Sequence, residues 1–239
     1  MWLAVVGAVF VTLGVAIGWY GLRPLVVVPR LLGSEIQAPS AVASGDGFVV
    51  CRGIATAGEA GTVAAPFSGT DCLGFEFEIT ERQPSVIALP WADAHLDDGV
   101  ATREFSLGGD HGSVAVDPAS RRFSLDTAST TVTVGADETP ADRLRRVTEA
   151  RDIQPVSRWL AALPFFGRRR FVERRIDPGE TYLVAGHTDH RGGVTTLTGD
   201  LVITDRSPRG VALGRLQAAV FPLVVAVSFV AVGSWALLA

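Results

Sequence analysis

The 239-residue chain carries a net charge of −4 and contains neither lysine nor asparagine. That balance argues against nucleic acid as a main partner. The missing lysine excludes Schiff-base chemistry, a P-loop and a lysine acceptor for ubiquitin-like modification. The two cysteines, Cys51 and Cys72, form no C-x-x-C pair and rule out a four-thiolate zinc site.

Residues 1–22 open the chain as an apolar run without a charged side chain before Arg23. A helix rises about 1.5 Å per residue, so roughly 20 residues cross a hydrocarbon core of about 30 Å. Trp2 at one end and Trp19 and Tyr20 at the other suit the two interfaces. A cleaved signal peptide is the competing reading. It calls for a positive n-region, and no Arg or Lys precedes the run. An uncleaved span is therefore expected. Gly14 and Gly18 give it a small-residue face suited to helix pairing. Leu25 to Val28 extends the apolar character to Pro29, as a helix on the membrane surface would. Ser34 to Ser44 suggests a short helix interrupted at Pro39.

A soluble unit is expected over 31–210. Phe48 to Ala55 reads as a strand, and Cys72 to Glu81 alternates clearly. Leu73, Phe75, Phe77 and Ile79 share one face; Glu76, Glu78 and Thr80 share the other. Pro84 to Gly99 has no period and reads as a loop. Strands follow at Arg103–Leu107, Ser113–Val116, Arg122–Leu125 and Thr130–Val134, with Gly108-Gly109-Asp110 and Asp117-Pro118 as turns. Pro140 at the first helical position and Asp142 in the first turn predict a helix to about Arg151. Phe171–Ile176 and Thr181–Ala185 make a hairpin around Asp177-Pro178-Gly179-Glu180. Val194–Leu197 and Leu201–Thr204 make another around Thr198-Gly199-Asp200. The fold class expected is α+β, mainly β. It is a barrel-like or sandwich-like domain with one or two helices, flanked by membrane helices at both ends.

The second span is expected over 215–239, with Pro222 as a mild kink and Trp235 at the far interface. A buried core helix of that length is a poor fit to a modest domain. Arg23 and Arg30 follow the first span, and Arg206, Arg209 and Arg215 precede the second. The positive-inside bias then places the middle unit in the cytoplasm, in a two-pass protein of the cell membrane. In that compartment Cys51 and Cys72 are expected as buried thiols; facing outward, they admit a single disulfide.

Three segments carry a resemblance. They are Ala65-Pro66-Phe67-Ser68-Gly69-Thr70-Asp71-Cys72, Val114 to Pro118, and Glu173-Arg174-Arg175-Ile176 followed by Pro178-Gly179-Glu180 and Leu183 to Gly186. In this order, between two apolar ends, they resemble the GIDE domain, also called the BAM ("beside a membrane") domain. In eukaryotes that domain occurs in mitochondrial membrane-anchored E3 ubiquitin ligases, and prokaryotes carry related proteins. Among the motif residues, Pro66, Phe67, Ser68, Gly69, Cys72, Glu173, Arg174, Pro178 and Gly179 are expected to hold backbone shape. The ligase activity of that family resides in a RING module, which needs roughly eight Cys/His zinc ligands. Two cysteines and four histidines do not supply it.

Of the histidines, only His187 and His190, with Asp189 between them, cluster as metal ligands do. The alternative is a solvated turn, and no cofactor is expected. Trp159, Phe165 and Phe166, followed by Arg168, Arg169 and Arg170, suit a bilayer surface, with rings dipping in and guanidiniums meeting phosphate. The alternative is a core-covering loop before a charged strand. Glu76 and Glu78 are expected to face Arg170 or Arg174 on a neighbouring strand. No nucleophile elbow or dinucleotide fingerprint is present. The expected function is a membrane-anchored interaction module without catalysis. Its partners would be the lipid bilayer, a membrane or cytoplasmic protein, or a further copy of itself. A ligase component working with a separate RING partner, or a metal-dependent hydrolase, is the alternative.

Overall fold

The computed structural model describes residues 2–42, 47–85, 91–118, 123–154, 156–157, 159, 162–163, 166–191 and 193–238. In chain order the first elements are α1 (Trp2–Leu22), α2 (Val28–Gly33), β1 (Ile36–Gln37), β2 (Phe48–Ala57), β3 (Val63–Ala64), β4 (Asp71–Cys72), β5 (Gly74–Pro84) and β6 (Trp91–Thr102). Then come β7 (Phe105–Gly109), β8 (Gly112–Val116), β9 (Phe123–Asp126), β10 (Ser129–Val134), α3 (Asp142–Ala150), β11 (Arg169–Ile176), β12 (Thr181–Arg191), β13 (Val194–Thr204) and α4 (Pro208–Leu238). They fall into two compact units. One joins Met1–Glu35 with Arg206–Ala239, and the other is Ile36–Asp205.

The second unit is mainly β and contains a closed five-stranded barrel. Around the ring, β2 pairs with β7, β7 with β8, β8 with β13, β13 with β12, and β12 with β2. Only the β8–β13 contact of the ring is parallel. A five-stranded Greek-key ring of this kind is the arrangement of an OB-type barrel. β1 and β9 add parallel partners to β2 and β13. Val49, Cys51, Leu107, Val116, Val184, Leu197 and Ile203 fill the interior.

Two insertions into the barrel build a second layer. The chain between β2 and β7 supplies β5 and β6; the chain between β8 and β12 supplies β10, α3 and β11. Their strands form an antiparallel sheet in the order β10-β11-β5-β6. The alternation in β5 is realised: Phe75, Phe77 and Ile79 are buried with Phe67, Leu144 and Phe171 in a core of their own. Leu73, just before β5, belongs to the barrel interior instead. Its carbonyl accepts from Arg103 N–H at 2.8 Å, and its N–H donates to Ile176 O at 2.8 Å. Leu73 and Ile176 therefore join the two layers.

Several expectations are corrected. Residues 91–99, read as loop, are part of the long edge strand β6. Its sequence is poor in β-formers between Trp91 and Val100, and pairing with β5 along its whole length makes it a strand. The expected helix over Ser34 to Ser44 is replaced by β1 and one 3₁₀ turn, Pro39–Ala41; 43–44 lie outside the described residues, as does Arg122 of a predicted strand. Thr198-Gly199-Asp200 does not join two strands but bulges within β13. Gly199 has φ +86°, and Leu201 beyond it turns into the barrel against Gly186, where a Cβ would collide with it. His187 to His190 lies on β12 rather than in a loop. α3 starts at Asp142 with Ala141 as its N-cap, two positions later than Pro140 suggested.

In the first unit, α1 and α4 are both long and apolar enough to cross a membrane. They pack antiparallel: Gly7 meets Gly233, Gly14 meets Ala226, and Gly21 meets Pro222. The buried residues of α1 are Gly7, Gly14 and Gly21, each seven apart. Ala219, Ala226 and Gly233 of α4 repeat that spacing. A seven-residue period keeps one face in contact along a left-handed crossing. Gly18, expected beside Gly14 on the pairing face, lies off its centre.

Candidate functional site

Two of the three motif segments converge on Glu173; the third, Val114 to Pro118, lies along and just past β8, with Val114 and Val116 in the barrel core. Pairing along β11 places Arg169, Phe171, Glu173 and Arg175 on the same sheet face as Phe75 and Phe77. Glu173 is thus carried into the second core, where it is 1% exposed. A carboxylate there needs donors. One oxygen accepts from the Phe67 and Ser68 backbone N–H groups at 2.7 and 3.2 Å. The other meets Arg175 Nη1 at 3.3 Å. Arg175 also binds Asp177 at 3.2 Å and Thr70 Oγ1 at 3.4 Å. Burial opposes the Arg175 charge, but Asp177 and Glu173 outweigh it and its pKa is raised.

The turn that Glu173 holds is tight. Gly69 N–H donates to Ala65 O at 3.0 Å, and Gly69 has φ +76°. The Arg143 guanidinium of α3 reaches over Gly69, and this flexible end can swing aside, so the positive φ is what calls for glycine. Pro66 starts the turn, and Phe67 plunges from it. The Phe67 ring sits edge-on to Phe77 at 5.3 Å and to Phe171 at 5.4 Å. Cys72 Sγ donates to Val63 O at 3.2 Å. Past the end of β11, Asp177 N–H donates to Tyr182 Oη at 2.9 Å. Pro178 leads into Gly179, at φ +86°, whose N–H donates to Ala55 O of the barrel at 2.7 Å. Arg174 departs from this group. It projects from the other sheet face, directly across from Glu76.

The motif therefore gathers polar groups, but each is occupied. The Glu173 carboxylate is out of reach of solvent and saturated with backbone and guanidinium donors. Such a group fixes a turn and is closed to proton transfer or nucleophilic attack.

The opposite sheet face is charged. Arg82 pairs with Asp93 at 3.3 Å and His95 with Asp98 at 3.1 Å. Glu76 faces Arg174 as expected, whereas Val172 stands opposite Glu78 and Thr80 opposite Arg170. Burial raises the Glu76 pKa above 4.5, against the opposing pull of Arg174 and of the Leu125 N–H on β9. The fold thus binds the Glu76 proton more tightly than the unfolded chain does. Its contribution to stability is greatest below the unfolded value and is lost as pH rises through the folded one. Glu76→Gln should flatten that step. Thermal midpoints of both proteins between about pH 4 and pH 7 would show it; parallel curves would refute it.

The remaining candidates are scattered. His187 and His190 are exposed on opposite faces of β12, since they stand three positions apart on a strand whose side chains alternate. His187 instead lies edge-on to Phe48 at 5.6 Å. No group of three His, Cys, Asp or Glu with metal-holding geometry occurs among the described residues. Trp159 is exposed, Phe166 is half-buried, and Phe165 lies outside the described residues. The three arginines divide. Arg168 and Arg170 are exposed, but Arg169 turns onto the core face and pairs with buried Glu81 at 2.9 Å. It also donates to the Gln154 carbonyl. Its guanidinium is occupied inside the fold, so it drops out of the expected lipid-facing set. The Glu81–Arg169 pair was missed in the sequence; Glu81 sits in phase with Phe77 and Ile79, which is the signal for an inward carboxylate.

Cys51 and Cys72 are free thiols in separate cores. Burial pushes each up to about 11. Neither should react with a maleimide in the folded chain at neutral pH, and both should react on unfolding. Mass spectrometry of labelled protein with and without denaturant checks this; native labelling would contradict it.

No family model matches the chain, and no curated protein matches it.

Proposed function

We propose that this chain is a two-pass protein of the cell membrane, of GIDE/BAM type. In this reading it holds a non-catalytic, β-rich interaction module at the cytoplasmic surface. The observation that carries the reading is Glu173. Two of the three segments that resemble that family converge on a buried carboxylate that fixes the Pro66–Gly69 turn, as a structural signature would and a reaction centre would not. Two terminal helices able to cross a membrane supply the anchor. The arginines flanking them on the inner side supply the orientation. The module's partner is a membrane or cytoplasmic protein, met through surfaces of Ile36–Asp205.

In-cell crosslinking of the full chain, followed by mass spectrometry, tests the proposal. The expected result is a recurring neighbour linked through residues of the β-rich unit. Links confined to α1 and α4 would refute the interaction module. Cleavage of the β-rich unit by protease added outside intact cells would refute the orientation, and release of the chain by carbonate would refute the anchor.

A further inference from the structure

The helical unit has a feature the proposed function leaves unused. α1 does not lead straight out of the unit. A 3₁₀ turn (Arg23–Leu25) and the short α2 fold the chain along the first turns of α4. Arg215 fixes this bend by donating to Pro24 O at 3.1 Å. Between the bend and α4 runs a groove of about 440 Å³. Leu25, Val28 and Leu32 line one side, and Ala212, Leu213 and Leu216 the other. The one charged side chain on its wall is Arg209.

The charge around the groove is one-sided. The unit holds Arg23, Arg30, Arg206, Arg209 and Arg215, with Glu35 as its lone acid. None of the ion pairs found among the described residues involves Arg23, Arg30 or Arg209. All five arginines fall at the same end of the helical hairpin, next to the apolar stretch. An apolar slot ending in an unneutralised guanidinium fits a molecule with a hydrocarbon tail and an anionic head. Guanidinium matches phosphate oxygens in a two-pronged geometry that ammonium lacks.

We infer that this groove is a binding site for an anionic phospholipid, with an acyl chain along Leu25–Leu32 and Ala212–Leu216 and the headgroup phosphate on Arg209. The site holds one lipid by its head charge, beyond the general wetting of α1 and α4 by acyl chains. It is independent of what the β-rich unit binds, and requires only that the helices lie in a bilayer.

The test uses the full chain in phosphatidylcholine nanodiscs containing trace phosphatidylglycerol with a photoreactive acyl chain, and peptide mapping after illumination. A phosphatidylcholine probe with the same chain is the reference. The expected result is excess labelling of Leu25–Leu32 and Ala212–Leu216 by the anionic probe, about fivefold over the zwitterionic one. Val5, Val6, Ala8 and Val9, exposed residues of α1, should be labelled equally by both. Arg209→Gln should remove the excess, and Ala212→Phe should lower groove labelling by both probes. Equal labelling by the two probes in the unaltered chain overturns the inference whatever the variants do. So does an excess that survives Arg209→Gln.

Discussion

Glu173→Ala is expected to destabilise the β-rich unit by about 3–5 kcal/mol, the range for removing one partner from a buried, hydrogen-bonded charge pair. Three groups lose their acceptor at once. The Phe67 and Ser68 N–H groups lose the carboxylate that ties their turn to β11, and Arg175 loses one of its two carboxylates. Phe67 N–H is buried, so water does not replace the lost bond without opening the core. Damage should begin at the turn. Phe67 is the wedge between Phe77 and Phe171, and Cys72 lies just beyond. Cys72 should therefore become reactive to a maleimide before Cys51, which sits in the barrel. Arg174→Ala is the matched control from the same strand, because Arg174 lies on the other face and does not touch the turn. Denaturant titration of the full chain in detergent, with time-resolved labelling of the two thiols, reads both effects. A loss below about 1 kcal/mol, the size of an ordinary neutral hydrogen bond, would show that the turn does not depend on Glu173.

The same residue shows what the sequence discloses and what it conceals. The apolar half of β5 is legible because Leu73, Phe75, Phe77 and Ile79 alternate with polar residues, and the strand buries that half. Glu173 follows the same alternation on β11, in phase with Phe171, yet its charge suggests an outward position. Besides Arg175 two positions on, its donors are main-chain groups more than a hundred positions away, and no local pattern announces those. β6 is hidden for a related reason. Its acids and alanines have little strand preference of their own, and register with β5 decides their conformation. The histidine pair shows the opposite error. His187 and His190 are close in sequence, but strand geometry sends neighbours of opposite parity to opposite faces. The arginine run divides by the same rule, which turns Arg169 inward and Arg170 outward.

The helical hairpin gives the second large effect. Gly233→Leu should destabilise the packing of α1 against α4 by about 1–3 kcal/mol, the usual cost of overpacking a close contact. A Cβ at Gly233 would lie 2.7 Å from Gly7 O and 2.8 Å from Val11 N. Both are backbone atoms of the facing helix, so no rotamer change relieves the clash, and the helices must separate. Gly14→Leu should act in the same direction, since its Cβ would lie 2.8 Å from Ala226 O as well as 2.7 Å from a Val230 methyl. Gly18→Ala is the discriminating variant. Its Cβ would meet only the Ala226 Cβ, at 3.5 Å, an ordinary contact. It should be neutral, or stabilising by about 0.5–1 kcal/mol through the higher helix preference of alanine. The pairing face is thus set by a period of seven, Gly7, Gly14 and Gly21, and the four-residue spacing of Gly14 and Gly18 plays little part in it. Thermal melts of the three variants in one detergent rank them. If Gly18→Ala proves as damaging as Gly14→Leu, the four-residue spacing governs the contact, and α1 meets α4 through a different face from the one described.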